Sequence, residues 1–192
     1  LDPHSLNESL QLSVLGNIFE PLVTRDRNFK LTGALATDWK QTSPTVWRFN
    51  LRKGVKFHDG TPFTADDVIF SYERAKSDGS DMKTYVGQVK EIKKINDHQL
   101  DFILNAPFPI LPELFTNWLI MSKKWCETNQ ATRPVDRRKG IENAASFRAN
   151  GTGPFRVRER QPNVRTTAVR NGSYWGKIEG NVDEVIFTPI GN

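Results

Sequence analysis

The sequence predicts an α/β fold class, in which strands and amphipathic helices alternate along one chain. Apolar and polar side chains alternate over residues 46–51, which is the pattern of a half-buried strand. Apolar side chains recur at helical spacing over residues 68–75, so one face of a helix is apolar. With 192 residues, 37% of them hydrophobic and 26% charged, the chain has the composition of a globular protein with a core.

The region before residue 46 predicts one helix and two short extended segments. The helix is expected over Ser9–Phe19, because Pro21 cannot continue it. Its buried stripe is expected to consist of four apolar residues, namely Leu10, Val14, Leu15 and Ile18. The extended segments are expected at Leu22–Arg25 and Leu35–Lys40.

Residues 52–76 predict a turn followed by an amphipathic helix. Asp59-Gly60 is a strong turn signal, and Thr64 is a good N-cap. Asp66-Asp67 follows in the first turn, where the positive end of the helix dipole favours carboxylates without any catalytic role. On the polar face, Glu73 and Arg74 are expected to stay in water.

The remainder of the chain predicts two groups of strands around short helices. Val89–Ile95 and Gln99–Leu104 form an expected strand pair across a polar turn. The later elements, in chain order, are a short helix at Glu113–Thr116, a buried strand at Trp118–Met121, a helix capped by Ser122, and three strands of a second sheet at 155–159, 166–170 and 182–189.

The charge pattern argues against a nucleic-acid partner. The formal net charge is +5, but acidic residues are interspersed with the basic ones. The densest basic run, Arg133–Lys139, is interrupted by apolar and acidic residues and is typical of a solvated loop.

Candidate catalytic and metal-binding residues are few. His4, His58 and His98 form no HxH or HxxxH pair, so no metal site is expected. A hydrolase that uses His58 or Asp59 is an alternative, but no nucleophile and base stand in a recognisable motif. The lone Cys126 can form no disulfide within the chain and is expected to be a buried apolar residue. No nucleotide-binding motif is present, and no cofactor is expected.

Several motifs stand in a fixed order along the chain. The longest is Leu51–Val68, which carries the strand end, the Asp-Gly turn and the helix start. The others are Leu1–His4, Ile18–Val23, Leu35–Trp39, Gly151–Phe155 and Asn171–Trp175. Together they resemble the extracytoplasmic solute-binding proteins of ABC importers, in the dipeptide-, oligopeptide- and nickel-binding class (family 5). One departure is Pro21, where that family usually has glycine.

The resemblance implies the N-terminal portion of a type II periplasmic-binding-protein fold, in which a mixed-sheet lobe carries an inserted α+β subdomain. It implies that residues 1–20 and 122–192 belong to a discontinuous first lobe, and that residues 21–121 form the inserted subdomain. The second lobe is absent from this sequence, which is expected to be an excised N-terminal piece.

The resemblance also implies ligand capture and not catalysis. The whole protein is expected to be periplasmic and monomeric, and to bind a peptide or similar small solute between two lobes. It would then deliver that solute to the transmembrane permease subunits of the importer. Relatives with the same motifs carry nickel, sugars or opines, so these solutes stay open as alternatives to peptides.

Two ligand contacts are implied by the resemblance. One is Asn7, Glu8 and Ser9, whose backbone would pair with a bound peptide in a strand-like manner. The other is Tyr85, which matches a cleft-lining aromatic residue. From the residues alone, the first segment can equally be a plain helix entrance, and Tyr85 can be a packing residue.

Overall fold

The computed structural model describes residues 1–190, and its helices and strands confirm the predicted α/β class. The helices are α1 (Ser9–Leu15), α2 (Ala65–Lys76), α3 (Lys83–Val86), α4 (Leu111–Leu114) and α5 (Lys123–Thr128). The strands are β1 (Val23–Arg25), β2 (Leu31–Gly33), β3 (Ala36–Ser43), β4 (Val46–Leu51), β5 (Val89–Asn96), β6 (Gln99–Leu104), β7 (Phe155–Gln161), β8 (Arg165–Arg170) and β9 (Glu184–Phe187). Within this part of the chain, no helix is long and apolar enough to cross a membrane.

A four-stranded antiparallel sheet with the order β3-β4-β6-β5 forms the centre of the first half. The register pairs Phe49 of β4 with Leu100 of β6, and both side chains are fully buried. Because side chains alternate along a strand, Phe102 lies on the same face and contacts Phe49 edge-on, with ring centroids 5.1 Å apart. The strand predicted at Val46–Leu51 and the predicted strand pair are confirmed.

Helix α2 begins with the predicted cap. The Thr64 hydroxyl accepts a hydrogen bond from the Asp66 N–H at 3.3 Å, and the Asp67 carboxylate accepts one from the Thr64 N–H at 2.9 Å. The second oxygen of Asp67 accepts from the Lys123 N–H at 2.9 Å, which ties α5 to the start of α2. Asp67 therefore caps the helix, as the sequence predicts, and also fixes α5, whereas Asp66 pairs with Lys94 at 2.8 Å.

The buried apolar residues form two clusters. The first draws its members from residues 22–120 and surrounds the four-stranded sheet and α2. The second is smaller and draws its members from residues 1–19 and 119–145. The chain crosses from one cluster to the other near residue 20 and again near residue 120. The two crossings lie side by side, because the Ile120 N–H donates to the Glu20 carbonyl at 3.0 Å. A separate antiparallel sheet with the order β7-β8-β9 contains the three strands predicted near the C-terminus.

The first helix is shorter than the prediction of Ser9–Phe19 and ends at Leu15. The carbonyls of Asn17 and Ile18 accept hydrogen bonds from Phe155 and Gly153 instead, at 3.0 and 2.9 Å. This approach needs glycine, because a Cβ at position 151 would lie 1.9 Å from the Ile18 carbonyl oxygen.

The predicted stripe of the first helix is wrong at one position. Leu10 is 72% exposed, whereas Leu15 and Ile18 are buried as expected. Leu10 points away from the two clusters because only the last turn of this short helix lies against them.

Two later elements also differ from the sequence prediction. The helix expected at Glu113–Thr116 begins two residues earlier, with Pro112 in its first turn, where a missing N–H costs no hydrogen bond. The segment Trp118–Met121 is buried, but only Leu119 pairs with a neighbour, Pro21. Proline has no N–H to continue a ladder, so no strand forms there.

The prediction that Arg74 stays in water is wrong. Arg74 is 2% exposed, and its guanidinium forms a bidentate ion pair with Asp2, at 2.7 and 2.6 Å. It also donates to the carbonyls of Ala131 and Arg133. Burial by itself raises the pKa of Asp2, but the adjacent Arg74 charge and its hydrogen bonds outweigh that effect and lower it. A helix period cannot reveal this pairing, because the partner lies 72 residues away.

Replacing Arg74 with methionine should destabilise the chain strongly, because Asp2 would remain buried without its cation. We expect the free energy of unfolding to fall by about 3–5 kcal/mol in urea denaturation. The matched control is Arg158→Met, which removes the exposed ion pair with Glu184 and should cost only a small fraction of that loss. Equal losses of unfolding free energy in the two variants would show that the buried ion pair stabilises the fold no more than the exposed one does.

Candidate functional site

The segment before α1 is extended at Glu8 and reaches the surface at its last two residues. Glu8 has φ −133° and ψ 135°, and both Asn7 and Glu8 lie on the surface. No residue among 1–190 accepts a hydrogen bond from the backbone N–H groups of Leu6, Asn7 or Glu8. An extended backbone with free donors can pair with another extended chain, as in strand addition.

The structure brings two of the predicted site residues together. The Tyr85 hydroxyl donates to the Asn7 side-chain oxygen at 3.2 Å, although the two residues are 78 positions apart. Tyr85 belongs to α3, and its half-buried ring packs against the first cluster. The backbone supports this arrangement, since the Asp81 N–H donates to the His4 carbonyl at 3.1 Å. Tyr85 thus lies beside the segment Leu6–Glu8, whose backbone N–H groups are free.

Tyr85 also lines a groove of about 390 Å³ at the surface. The other lining residues come from β1 and from α4 with the turn after it, namely Thr24, Arg25, Glu113, Leu114, Thr116 and Asn117. Arg25 and Glu113 form an ion pair whose side chains are 41% and 37% exposed. The groove is therefore polar, with one cation and one carboxylate in contact on its wall.

Glu8 and Ser9 contribute differently. Glu8 lines a second groove of about 560 Å³, which runs between α1 and the strands β8 and β9. Ser9 is exposed, and its carbonyl accepts a hydrogen bond from the Ser13 hydroxyl at 2.8 Å. Of the predicted site residues, only Asn7 has a side-chain contact with Tyr85.

The passage between the two clusters is fixed by a buried carboxylate. Glu20 accepts hydrogen bonds from the Tyr174 hydroxyl and the Trp175 indole N–H, each at 2.8 Å. The Arg52 guanidinium lies 4.2 Å from the centre of the Trp175 ring, in cation–π contact. Burial raises the pKa of Glu20, and these donors act against that rise. The two aromatic residues therefore have a structural role.

The residues considered for catalysis or metal binding have structural contacts. The His58 ring accepts from the Gly151 N–H at Nδ1, 3.3 Å away, and its Nε2 lies 3.0 Å from the Gly153 carbonyl. This pattern requires the neutral tautomer that carries its proton on Nε2. Cys126 is buried, and burial raises the pKa of its thiol to about 12. Across residues 1–190, no three His, Cys, Asp or Glu side chains stand close enough to share a metal ion.

No motif in the sequence indicates the groove that adjoins Tyr85. Arg25 and Glu113 are 88 positions apart, and neither belongs to a motif. The strand and the short helix that carry them are each predicted from local pattern, but only the packing of those elements brings the two charges together. Glu20 lies in Ile18–Val23, one of the motifs that carry the family resemblance, and this motif is what could have pointed to its role.

The fold defines a class of protein, the solute-binding proteins built on the periplasmic-binding-protein type II fold. ABC transporter-associated periplasmic binding protein DppA from Helicobacter pylori, solved in complex with the peptide STSA, matches with a TM-score of 0.79 and 28% identity. The match covers 98% of this chain and 40% of that chain. NikZ from Campylobacter jejuni, solved in complex with Ni(L-His), matches with a TM-score of 0.78 at 23% identity, over 92% of this chain and 34% of that one.

The chain belongs to the bacterial extracellular solute-binding proteins, family 5, whose Middle region matches residues 30–192. Among curated relatives, the periplasmic oligopeptide-binding protein OppA of Escherichia coli (strain K12) is 24% identical over 213 aligned residues. That alignment takes in 99% of this chain and 37% of the relative, so the chain spans a little over a third of the relative's length.

The neutral His58 generates a dependence of stability on pH. Burial lowers the pKa of His58 below its ordinary value of 6.5, so the folded state resists protonation more than the unfolded state does. The stability from its contacts is complete above pH 6.5 and is lost as the pH falls, by about 1.4 kcal/mol per unit of pKa depression. The stability advantage of the wild type over His58→Gln should therefore shrink between pH 7.5 and pH 5 in urea denaturation. A difference that stays constant over this range would contradict the assignment.

Proposed function

We propose that this chain is part of the solute-binding component of an ABC import system, which captures peptides and delivers them to a membrane permease. The observation that carries the proposal is the segment Leu6–Glu8, which has free backbone N–H groups, is extended at Glu8 and is fixed beside Tyr85 through Asn7. Peptides bound in this way gain affinity from main-chain hydrogen bonds, which tolerate many side chains. Membership of family 5 and the similarity to periplasmic peptide-binding proteins support the same interpretation.

We propose the location and partners on the same basis. The whole protein acts outside the cytoplasmic membrane, in the periplasm, as a monomer that docks onto the permease subunits. It performs no catalysis: its relatives are binding proteins, and the contacts of His58 and Cys126 are structural. Nickel is the second candidate solute, supported by the NikZ neighbour that holds Ni(L-His).

We further propose that residues 1–20 and 122–192 belong to the first lobe and that residues 21–121 form the inserted subdomain. The two hydrophobic clusters support this division, because their members separate near residues 20 and 120. The second lobe, contributed by the rest of the protein, would close over the peptide by a hinge.

Native mass spectrometry of the full-length protein as purified tests the solute. A spread of added masses that match short peptides is expected, and substituting Asn7→Ala together with Tyr85→Ala should reduce the bound fraction at least tenfold. Asn28→Ala with Tyr72→Phe is the control, because neither residue touches the site. A single added mass equal to nickel or a nickel chelate would overturn the peptide assignment in favour of the second candidate.

The 192-residue chain alone should bind peptides weakly. The resemblance implies that the groups which hold the peptide termini come mainly from the second lobe, so half of the site is missing. We expect no dissociation constant below roughly millimolar, about −4 kcal/mol, in titration calorimetry. Micromolar binding by the isolated chain would contradict this two-lobe reading.

A further inference from the structure

We infer that the groove between β1 and α4 receives a zwitterionic part of the ligand, in which a basic and an acidic side chain lie on the same face of a bound peptide. This inference rests on the proposed function and adds a ligand preference to it. Arg25 and Glu113 carry the inference, since they present opposite charges on one wall of the groove beside Tyr85.

Arg25 is held in place from two sides. One of its terminal nitrogens donates to the Phe29 carbonyl at 2.7 Å, inside the β1–β2 hairpin. The other contacts the Glu113 carboxylate. Glu113 in turn lies in α4, whose last turn is closed by the Thr116 hydroxyl donating to the Glu113 carbonyl at 2.8 Å. Both charges therefore project from ordered backbone and keep their positions without a ligand.

The ion pair remains available to a ligand because it is partly exposed. Pairs of this kind contribute little to stability, since water and salt screen them. A bound ligand that excludes water would make charge-assisted hydrogen bonds at the same atoms much stronger. The pair thus contributes little to folding and can contribute much to recognition.

The charge of the ligand determines whether Arg25 and Glu113 keep hydrogen-bond partners when the groove is occupied. An uncharged ligand would remove water from Arg25 and Glu113 without replacing its hydrogen bonds. A ligand with one charge would be attracted by one wall residue and repelled by the other. A ligand with both charges can pair each of them, which leaves no buried group without a partner.

The geometry of strand-like binding sets the spacing of the two ligand charges. Side chains at positions i and i+2 of an extended peptide point to the same side, roughly 6–7 Å apart. The groove volume of about 390 Å³ suits two such side chains and not a whole peptide. The exposed Asn117 adds a further polar group on the wall. A basic residue two positions from an acidic one is therefore the preferred pattern.

A peptide panel on the full-length protein tests this preference. The panel keeps one short host peptide and varies one tripeptide within it: Lys-Ala-Glu, Glu-Ala-Lys, Lys-Ala-Gln, Met-Ala-Glu and the near-isosteric Met-Ala-Gln, scanned along the host. Titration calorimetry should give one of the two zwitterionic orders about tenfold tighter binding than Met-Ala-Gln, with the singly charged peptides between them. Equal affinities across the panel would overturn the inference and leave the proposed function standing.

Two variants assign the preference to the ion pair. Arg25→Met with Glu113→Gln should bind all panel peptides with equal affinity. Arg25→Glu with Glu113→Arg keeps an ion pair but swaps the positions of its two charges. If Lys-Ala-Glu binds more tightly to the wild type, Glu-Ala-Lys should bind more tightly to this variant, and the reverse. Circular dichroism melting checks that both variants fold. Retention of the original preference in either folded variant would overturn the inference.

A nearby ion pair supplies the matched control. Arg27 and Glu179 are in contact at 2.6 Å, but they are 90% and 66% exposed and do not line the groove. Arg27→Met with Glu179→Gln should keep the zwitterion preference, and its loss there would count against the assignment. If the wild-type protein binds no panel peptide at all, the proposed peptide function fails together with this inference.

Discussion

The buried Asp2–Arg74 ion pair is the constraint on which the N-terminal half of the structure depends. Arg74 uses four hydrogen bonds to join the first residues, α2 and the segment 131–133. Asp2 accepts two further backbone hydrogen bonds, from His4 and Val135. Charges this deeply buried are tolerated only with full pairing, so the arrangement admits one geometry. Three distant parts of the chain are thereby held in a single relation.

This constraint also determines where the candidate site forms. Once Asp2 is anchored to α2, the chain from His4 must leave beside the loop that follows this helix, where the His4 carbonyl accepts from Asp81. Asn7 then lies within reach of Tyr85 on α3. The extended segment keeps its own N–H groups free because the side chains, and not the backbone, make these contacts. A structural ion pair thus positions this exposed segment without touching it.

A second fixed point lies at the passage between the two clusters. Glu20 is held by Tyr174 and Trp175, and Trp175 packs against the first cluster and contacts Arg52. A buried carboxylate with two good donors is costly to disturb, so the two crossings of the chain act as a rigid joint. The groove wall built by Arg25 and Glu113 lies on the sheet side of this joint.

The sequence by itself determined the local elements and the family. The period of β4, the cap of α2 and the Asp-Gly turn are short-range features, and short-range sterics and hydrogen bonds decide them. The tertiary structure alone decided that Arg74 is buried, that the first helix stops at Leu15, and that Arg25 meets Glu113. Each of these depends on a partner many tens of positions away, and no local pattern encodes the distance between two elements that pack. The predicted site lies between these cases: the family resemblance pointed to Asn7 and Tyr85, and only the folded chain brings them into contact.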